Sequence, residues 1–177
     1  MNLPNKLTMG RICAIPVFII ALMMDQRVLA TVLFIAAAFT DFLDGHIARK
    51  YGLVSNFGKL MDPLADKLLT MSAFICLVAL DQIPAWMVII ILGREFIITG
   101  MRQVAAAEGI VIAAGWSGKI KTVLQMVAIP VLLLNNWPCD PYLGAFPADQ
   151  ILLWAALVMT VVSGIEYMVK NRQVFSQ

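Results

Sequence analysis

Asp41-Phe42-Leu43-Asp44-Gly45-His46-Ile47-Ala48-Arg49 and, eight residues later, Gly58-Lys59-Leu60-Met61-Asp62-Pro63-Leu64-Ala65-Asp66 set four carboxylates into two otherwise apolar stretches. The first follows Val32-Leu33-Phe34-Ile35-Ala36-Ala37-Ala38-Phe39, and the second leads into Phe74-Ile75-Cys76-Leu77-Val78-Ala79. An ionised Asp at membrane depth is unfavourable by several kcal/mol unless paired or hydrated, so such residues mark a functional site by default. Helix geometry says what the four can do together. Asp41 and Asp44, three apart, point within ~60° of each other with ~4.5 Å of rise, while Asp62 and Asp66, four apart, lie within ~40° and ~6 Å. Two antiparallel helices joined by a short turn bring the pairs to similar depth, with Asp41 and Asp66 each ~13 Å of helix from the turn.

The rest of the chain fits a membrane setting. Of 177 residues, 61% are hydrophobic and 14% charged, against roughly 45–50% and 25% in soluble domains. That excludes a disordered or collagen-like chain and an ordinary soluble globule. The formal charge of +2 is too small to argue for nucleic acid. Cys13, Cys76 and Cys139 fall in separate segments without CxxC spacing, giving neither a disulfide framework nor a zinc site.

At about 20 residues per span, the pattern predicts six transmembrane helices, over roughly 7–24, 28–50, 57–80, 84–106, 117–135 and 148–169. The fold class expected is all-α, a polytopic membrane bundle forming a single domain over 1–177. The first segment is read as a retained helix rather than a signal peptide, because no small-residue cleavage site follows it closely. Lys6, Arg11, Arg49, Lys50, Lys59, Arg102, Lys119, Lys121, Lys170 and Arg172 gather at alternate helix ends, whereas the opposite ends carry Arg27 with Asp25, Asp81, Asp140 and Asp149. The positive-inside rule then puts both termini in the cytoplasm, as an even number of spans requires.

Four carboxylates converging between two helices repel one another towards neutrality unless something compensates them. A hard divalent cation, or two, does so through carboxylate oxygens. Two other readings stay open on these residues alone: structural ion pairs with Arg49, Lys59 and Lys67, and a cation pathway in a transporter or channel. Transporters of that kind usually show repeated halves with broken helices, and neither is evident. Gly45, Ala48 and Gly58 leave room beside the acids for a bulky ligand to approach the backbone. Close helix packing through small residues is the other explanation. His46 is assigned no role.

The spacing D-x2-D-G-x2-A-R-x8-G-x3-D-x3-D, met here at all eight fixed positions, resembles the signature of the CDP-alcohol phosphotransferases, also called phosphatidyltransferases. The resemblance runs over the chain, through six spans and an Asn5-Lys6-Leu7-Thr8 entry. It implies a magnesium- or manganese-dependent enzyme of phospholipid biosynthesis in the bacterial cytoplasmic membrane, with its active site facing the cytoplasm. Asp41, Asp44, Asp62 and Asp66 would hold two ions, and Asp66 would also serve as catalytic base. Asn5, Thr8, Gly45, Ala48, Arg49, Ser55 and Gly58 would form the CDP-lipid-binding set. The donor implied is CDP-diacylglycerol and the assembly a homodimer. Overall similarity favours glycerol 3-phosphate as acceptor, with another alcohol such as inositol phosphate as the alternative.

For the acceptor, Arg94 and Arg102 sit eight apart in one predicted span, and Lys119 and Lys121 open the next. Arg94 lies ~18 Å of helix from the cytoplasmic end. A buried Arg is suited to hold phosphate through two hydrogen bonds, so these four are expected to bind the acceptor phosphate. The competing explanation is an ion pair between Arg94 and Glu95, with the others as positive-inside anchors.

Overall fold

The computed structural model describes residues 3–51, 56–107, 109, 112–113, 115–134 and 147–172, with residues 3–7, 41–51, 56–63, 66 and 107 described as backbone only. Among the described residues there are six helices and no strand: α1 Leu3–Met23, α2 Arg27–Tyr51, α3 Asn56–Ala79, α4 Ala85–Ala107, α5 Trp116–Leu133 and α6 Ala148–Lys170. These ends fall within one or two residues of the expected spans, except that α1 begins four residues early. Pro4 explains the tolerance: the first N–H groups of a helix lack intrahelical partners, so a proline in the first turn sacrifices no hydrogen bond.

Two turns at one end of the bundle share a design. After α1, the N–H of Gln26 reaches Ala21 O and that of Asp25 reaches Leu22 O, each at 3.0 Å. After α3, Gln82 reaches Leu77 O and Asp81 reaches Val78 O at the same distance. Asp25 and Asp81 take positive φ, 57° and 55°, in the position where a Schellman cap usually has glycine. Aspartate is among the few non-glycine residues that visit this region routinely. Both turns carry Asp-Gln, and Arg27 Nε bonds Asp25 Oδ1 at 2.9 Å.

The apolar core lies towards this capped end and draws on all six helices. Phe18 and Leu22 of α1, Phe34 of α2, Phe74 and Leu77 of α3, Ile91 of α4, Ile129 and Leu132 of α5 and Leu153 of α6 are all buried in it. The Phe18 and Phe34 rings meet at 6.2 Å. Towards the other end the buried groups become polar: Thr8, Arg11, Lys121, Gln125, Thr160 and Ser163. Arg11, counted from sequence among the basic residues at the helix ends, is 2% exposed. The bundle thus has a greasy half and a polar half, and the polar half is where the signature helices meet.

Helix α1 packs against both α2 and α3, α5 pairs with α6, and α4 docks on α6 and α3, while α2 and α3 also touch each other and α5. Helices α4 and α6 run parallel: Trp86 and Trp154, near their starts, meet at a tilt with ring centres 5.9 Å apart, and Arg102 and Tyr167, near their ends, bond each other. By length and apolarity, Ala148–Lys170 is able to cross a membrane on its own, and Thr8–Met23, Arg27–Thr40 and Lys67–Ala79 are shorter apolar stretches among the described residues. The apolar run of α4 is interrupted by Arg94, Glu95 and Arg102.

Candidate functional site

Helix α2 carries Asp41, Asp44, Gly45, Ala48 and Arg49, and α3 carries Gly58, Asp62 and Asp66. The backbone is helical at each of these positions, so the three- and four-residue spacings fall on successive turns, and the two helices are in contact. The side chains of Asn5, Asp41, Asp44, Arg49, Asp62 and Asp66 lie outside the described residues, as does whatever surrounds Gly45, Ala48 and Gly58, and Ser55 lies outside them entirely. Thr8, on the helix packed against both α2 and α3, is fully buried. As a donor set, four carboxylates on two touching helices suit a hard divalent cation such as Mg²⁺ or Mn²⁺.

Next to this acidic pair of helices the structure builds a cationic cluster around one carboxylate. Glu95 Oε2 accepts from Lys67 Nζ at 2.9 Å, and Glu95 Oε1 accepts from Arg94 Nη1 at 3.0 Å and from Lys121 Nζ at 2.5 Å. Three helices are joined this way: α3 through Lys67, α4 through Arg94 and Glu95, and α5 through Lys121. The side chains are well shielded, at 13% exposure for Arg94, 17% for Glu95 and 4% for Lys121. Charges so placed need partners, and Glu95 uses both oxygens to supply them. Lys67, weighed from sequence as a counter-ion to the aspartates, is directed at Glu95.

Arg94 is also held from α6. Its Nη2 donates to Ser163 Oγ at 3.0 Å, and Ser163 donates in turn to Thr160 O at 3.1 Å. Thr160 Oγ1 accepts from Gln125 Nε2 at 3.3 Å, extending the polar chain to α5. Gly164 makes space for the arginine, since a Cβ there would stand 3.1 Å from Arg94 Cγ, whereas one at Gly118 would meet its Nη2 at an ordinary contact distance of 3.7 Å. Arg94 Nε is buried and finds no hydrogen-bond partner among the described residues.

Beyond this cluster opens a cavity of ≈ 360 Å³, lined by Arg94 and Arg102 from α4, by Ile112, Ala113, Gly115, Ser117 and Gly118 around the start of α5, and by Ser163, Glu166, Tyr167, Lys170 and Asn171 at the end of α6. Its size suits a small ligand. Arg102 lies 5.3 Å from the centre of the Tyr167 ring, and its Nε donates to Tyr167 Oη at 3.3 Å. Lys170 pairs with Glu166 at 2.5 Å. Of the four basic residues singled out from sequence, the cavity brings Arg94 and Arg102 together. Lys121 stands behind its wall on Glu95, and Lys119 is exposed, 5.0 Å from the Trp116 ring.

Ser163, Gly164 and Tyr167 were not sequence candidates, and Glu95 was named only as an ion-pair partner for Arg94, which the structure shows it to be. For Glu95 a signal existed: it is an acid in an apolar helix, the same feature that marks Asp41 and Asp66. Ser, Gly and Tyr are common in apolar helices, and nothing local distinguishes these three from packing residues.

Residues 1–162 match the CDP-alcohol phosphatidyltransferase family, and the chain belongs to it. Over 185 positions it is 48% identical to CDP-diacylglycerol–glycerol-3-phosphate 3-phosphatidyltransferase of Bacillus subtilis (strain 168), covering 96% of this chain and 95% of that protein. The protein of the same name from Rickettsia bellii (strain RML369-C) is 41% identical over 173 positions, with 94% and 93% covered. CDP-diacylglycerol–glycerol-3-phosphate 3-phosphatidyltransferase 2 of Arabidopsis thaliana is 36% identical over 188 positions, with 96% and 79% covered.

Proposed function

We propose that this protein transfers the phosphatidyl group of CDP-diacylglycerol to glycerol 3-phosphate, yielding phosphatidylglycerophosphate and CMP. The observation that carries this reading is the complete acidic signature on α2 and α3, in a chain 48% identical over nearly its whole length to a relative named for that reaction. Asp41, Asp44, Asp62 and Asp66 would hold two divalent ions, Mg²⁺ or Mn²⁺. Bound there, such ions neutralise the diphosphate oxygens of the donor. Asn5, Thr8, Gly45, Ala48, Arg49, Ser55 and Gly58 hold the CDP-lipid.

Asp66 takes the proton of the sn-1 hydroxyl of glycerol 3-phosphate, whose oxygen attacks the lipid-side phosphorus. The bond from that phosphorus to the CMP oxygen breaks, and CMP leaves with the electron pair. Displacement at phosphorus depends largely on positioning and on charges set where the transition state needs them. Arg94 and Arg102 supply such charges to the acceptor's phosphate from the cavity wall. Lys121 contributes from behind through Glu95, and Lys119 at the cavity's outer margin adds longer-range attraction. A diacyl lipid explains why acids sit within apolar helices near one end: the tails stay in hydrocarbon while the cytidine stays wet.

The setting that goes with this chemistry is a single domain of six spans in a bacterial cytoplasmic membrane, both termini and the site on the cytoplasmic side, supported by the basic residues at alternate helix ends. The family resemblance adds a homodimer. Purified protein given CDP-diacylglycerol, Mg²⁺ and labelled glycerol 3-phosphate, inositol phosphate or serine tests the reading. CMP release with glycerol 3-phosphate, and not with the others, is expected. Release with another alcohol alone would reassign the acceptor, and no release with any would favour a cation-handling protein.

A further inference from the structure

Arg94 and Arg102 are eight residues apart on α4, about 12 Å along its axis. Each meets one side chain of the parallel helix α6: Arg94 Nη2 donates to Ser163 Oγ at 3.0 Å and Arg102 Nε to Tyr167 Oη at 3.3 Å. Ser163 and Tyr167 are four apart and share a face. Gly164 between them lets the Arg94 stem lie against α6, where a Cβ would come within 3.1 Å of it. The stretch that matches the family ends at residue 162, just before this triplet.

We infer that Ser163 and Tyr167 are positioning residues, through which α6 fixes the guanidinium groups of Arg94 and Arg102 towards the acceptor's phosphate. The inference rests on the function proposed above. Guanidinium recognises phosphate by directed, paired hydrogen bonds, so its orientation matters as much as its charge. A free arginine side chain has many rotamers, and ordering it on binding lowers affinity. Tyr167 removes that cost twice over, by accepting from Nε and by offering its ring face to the cation. Using Nε for Tyr167 leaves the terminal nitrogens of Arg102 for a ligand. Tyr167 also packs with Ile98 and Met101 in a small buried cluster, so a purely structural role is the alternative to be separated.

Steady-state kinetics on two mutant cycles separates them. Tyr167→Phe keeps the ring and loses the hydroxyl, and is expected to raise KM for glycerol 3-phosphate about threefold, with Tyr167→Leu raising it about tenfold. KM for CDP-diacylglycerol should stay within about twofold in both, since only acceptor contacts are touched. Added to Arg102→Ala, Tyr167→Phe should change the acceptor KM by less than about twofold, because its effect runs through the missing arginine. Ser163→Ala should behave likewise, alone and added to Arg94→Gln. Full additivity in either cycle overturns the inference for that arginine, and a parallel rise of both KM values overturns it in favour of a structural role. Calorimetric binding of glycerol 3-phosphate to the same proteins repeats the cycles without turnover. Wild-type protein that binds glycerol 3-phosphate with the predicted coupling yet releases no CMP would reject the reaction and keep the positioning role.

Discussion

Between residues 41 and 66 four acids share two adjoining helices, and Lys67, a base beside them in sequence, is bonded instead to Glu95 at 2.9 Å. At the α4–α6 side the signs are reversed: Lys67, Arg94 and Lys121 surround a single acid, which answers all three. The cationic side thus carries a counter-charge of its own and keeps a net positive charge. The acidic side brings four like charges onto two packed helices, and on the function proposed above divalent cations balance them. On that proposal the first region takes metal and nucleotide. The second, tied together through Glu95, presents the positive charge proposed to meet the acceptor's phosphate. A phosphoryl-transfer site needs both, since developing negative charge is stabilised best by groups fixed before the reaction starts.

Removing a signature acid should therefore abolish chemistry with little effect on folding, whereas removing Glu95 should act first on stability. Asp66→Asn is expected to lower kcat by about 10³-fold or more, the upper range for loss of a general base. Its thermal midpoint in detergent should stay near that of the wild type. Near-normal turnover would remove Asp66 as the base.

Glu95→Gln leaves three cations without an acid in shielded surroundings. It should lower unfolding stability by about 2–3 kcal/mol, somewhat less than for a fully buried pair because the cluster keeps some contact with solvent. Chemical denaturation in detergent measures this, and Glu95→Gln with Lys67→Met should regain part of the loss by restoring the charge balance. An unchanged midpoint in the single variant would mean that the cationic side is not held by its central acid.

Arg102→Ala should raise KM for glycerol 3-phosphate about tenfold while moving KM for CDP-diacylglycerol far less, as expected for loss of a charge-assisted phosphate contact. Equal changes would break the assignment of donor and acceptor to opposite regions. The smallest effect is expected of Lys119→Ala, below about twofold on either KM, because an exposed cation resting on a tryptophan is screened by solvent. A tenfold effect there would move the acceptor site outward.

The two regions also differ in how far they could be read from residues alone. Acids at fixed spacing inside apolar runs announce themselves, because an uncompensated carboxylate in a membrane helix demands an explanation. Helix limits followed equally well from hydrophobic length and from the polar breaks at Asp25-Gln26 and Asp81-Gln82. Arg94 and Arg102 were visible as charges in a span. The pairing of Arg94 with its neighbour Glu95 was visible too. Their partners on α6 were not, because these depend on which helix lies beside which: α4 docks on α6 and α3, so Ser163 and Tyr167, more than 60 residues away in the chain, complete the arginines. Lys121 was expected to face a ligand and instead faces Glu95, since a shielded ammonium takes the nearest carboxylate. Local pattern reports the cost of a buried charge, and only packing reports who meets it.

The displacement itself offers the most direct test. Glycerol 3-phosphate carrying ¹⁸O at its sn-1 hydroxyl, incubated with the purified protein, CDP-diacylglycerol and Mg²⁺, should yield phosphatidylglycerophosphate that keeps the heavy oxygen in its new phosphodiester bridge, with unlabelled CMP released in equal amount. Heavy oxygen recovered on the nucleotide, or lipid product free of label, would contradict attack by the acceptor at the lipid-side phosphorus.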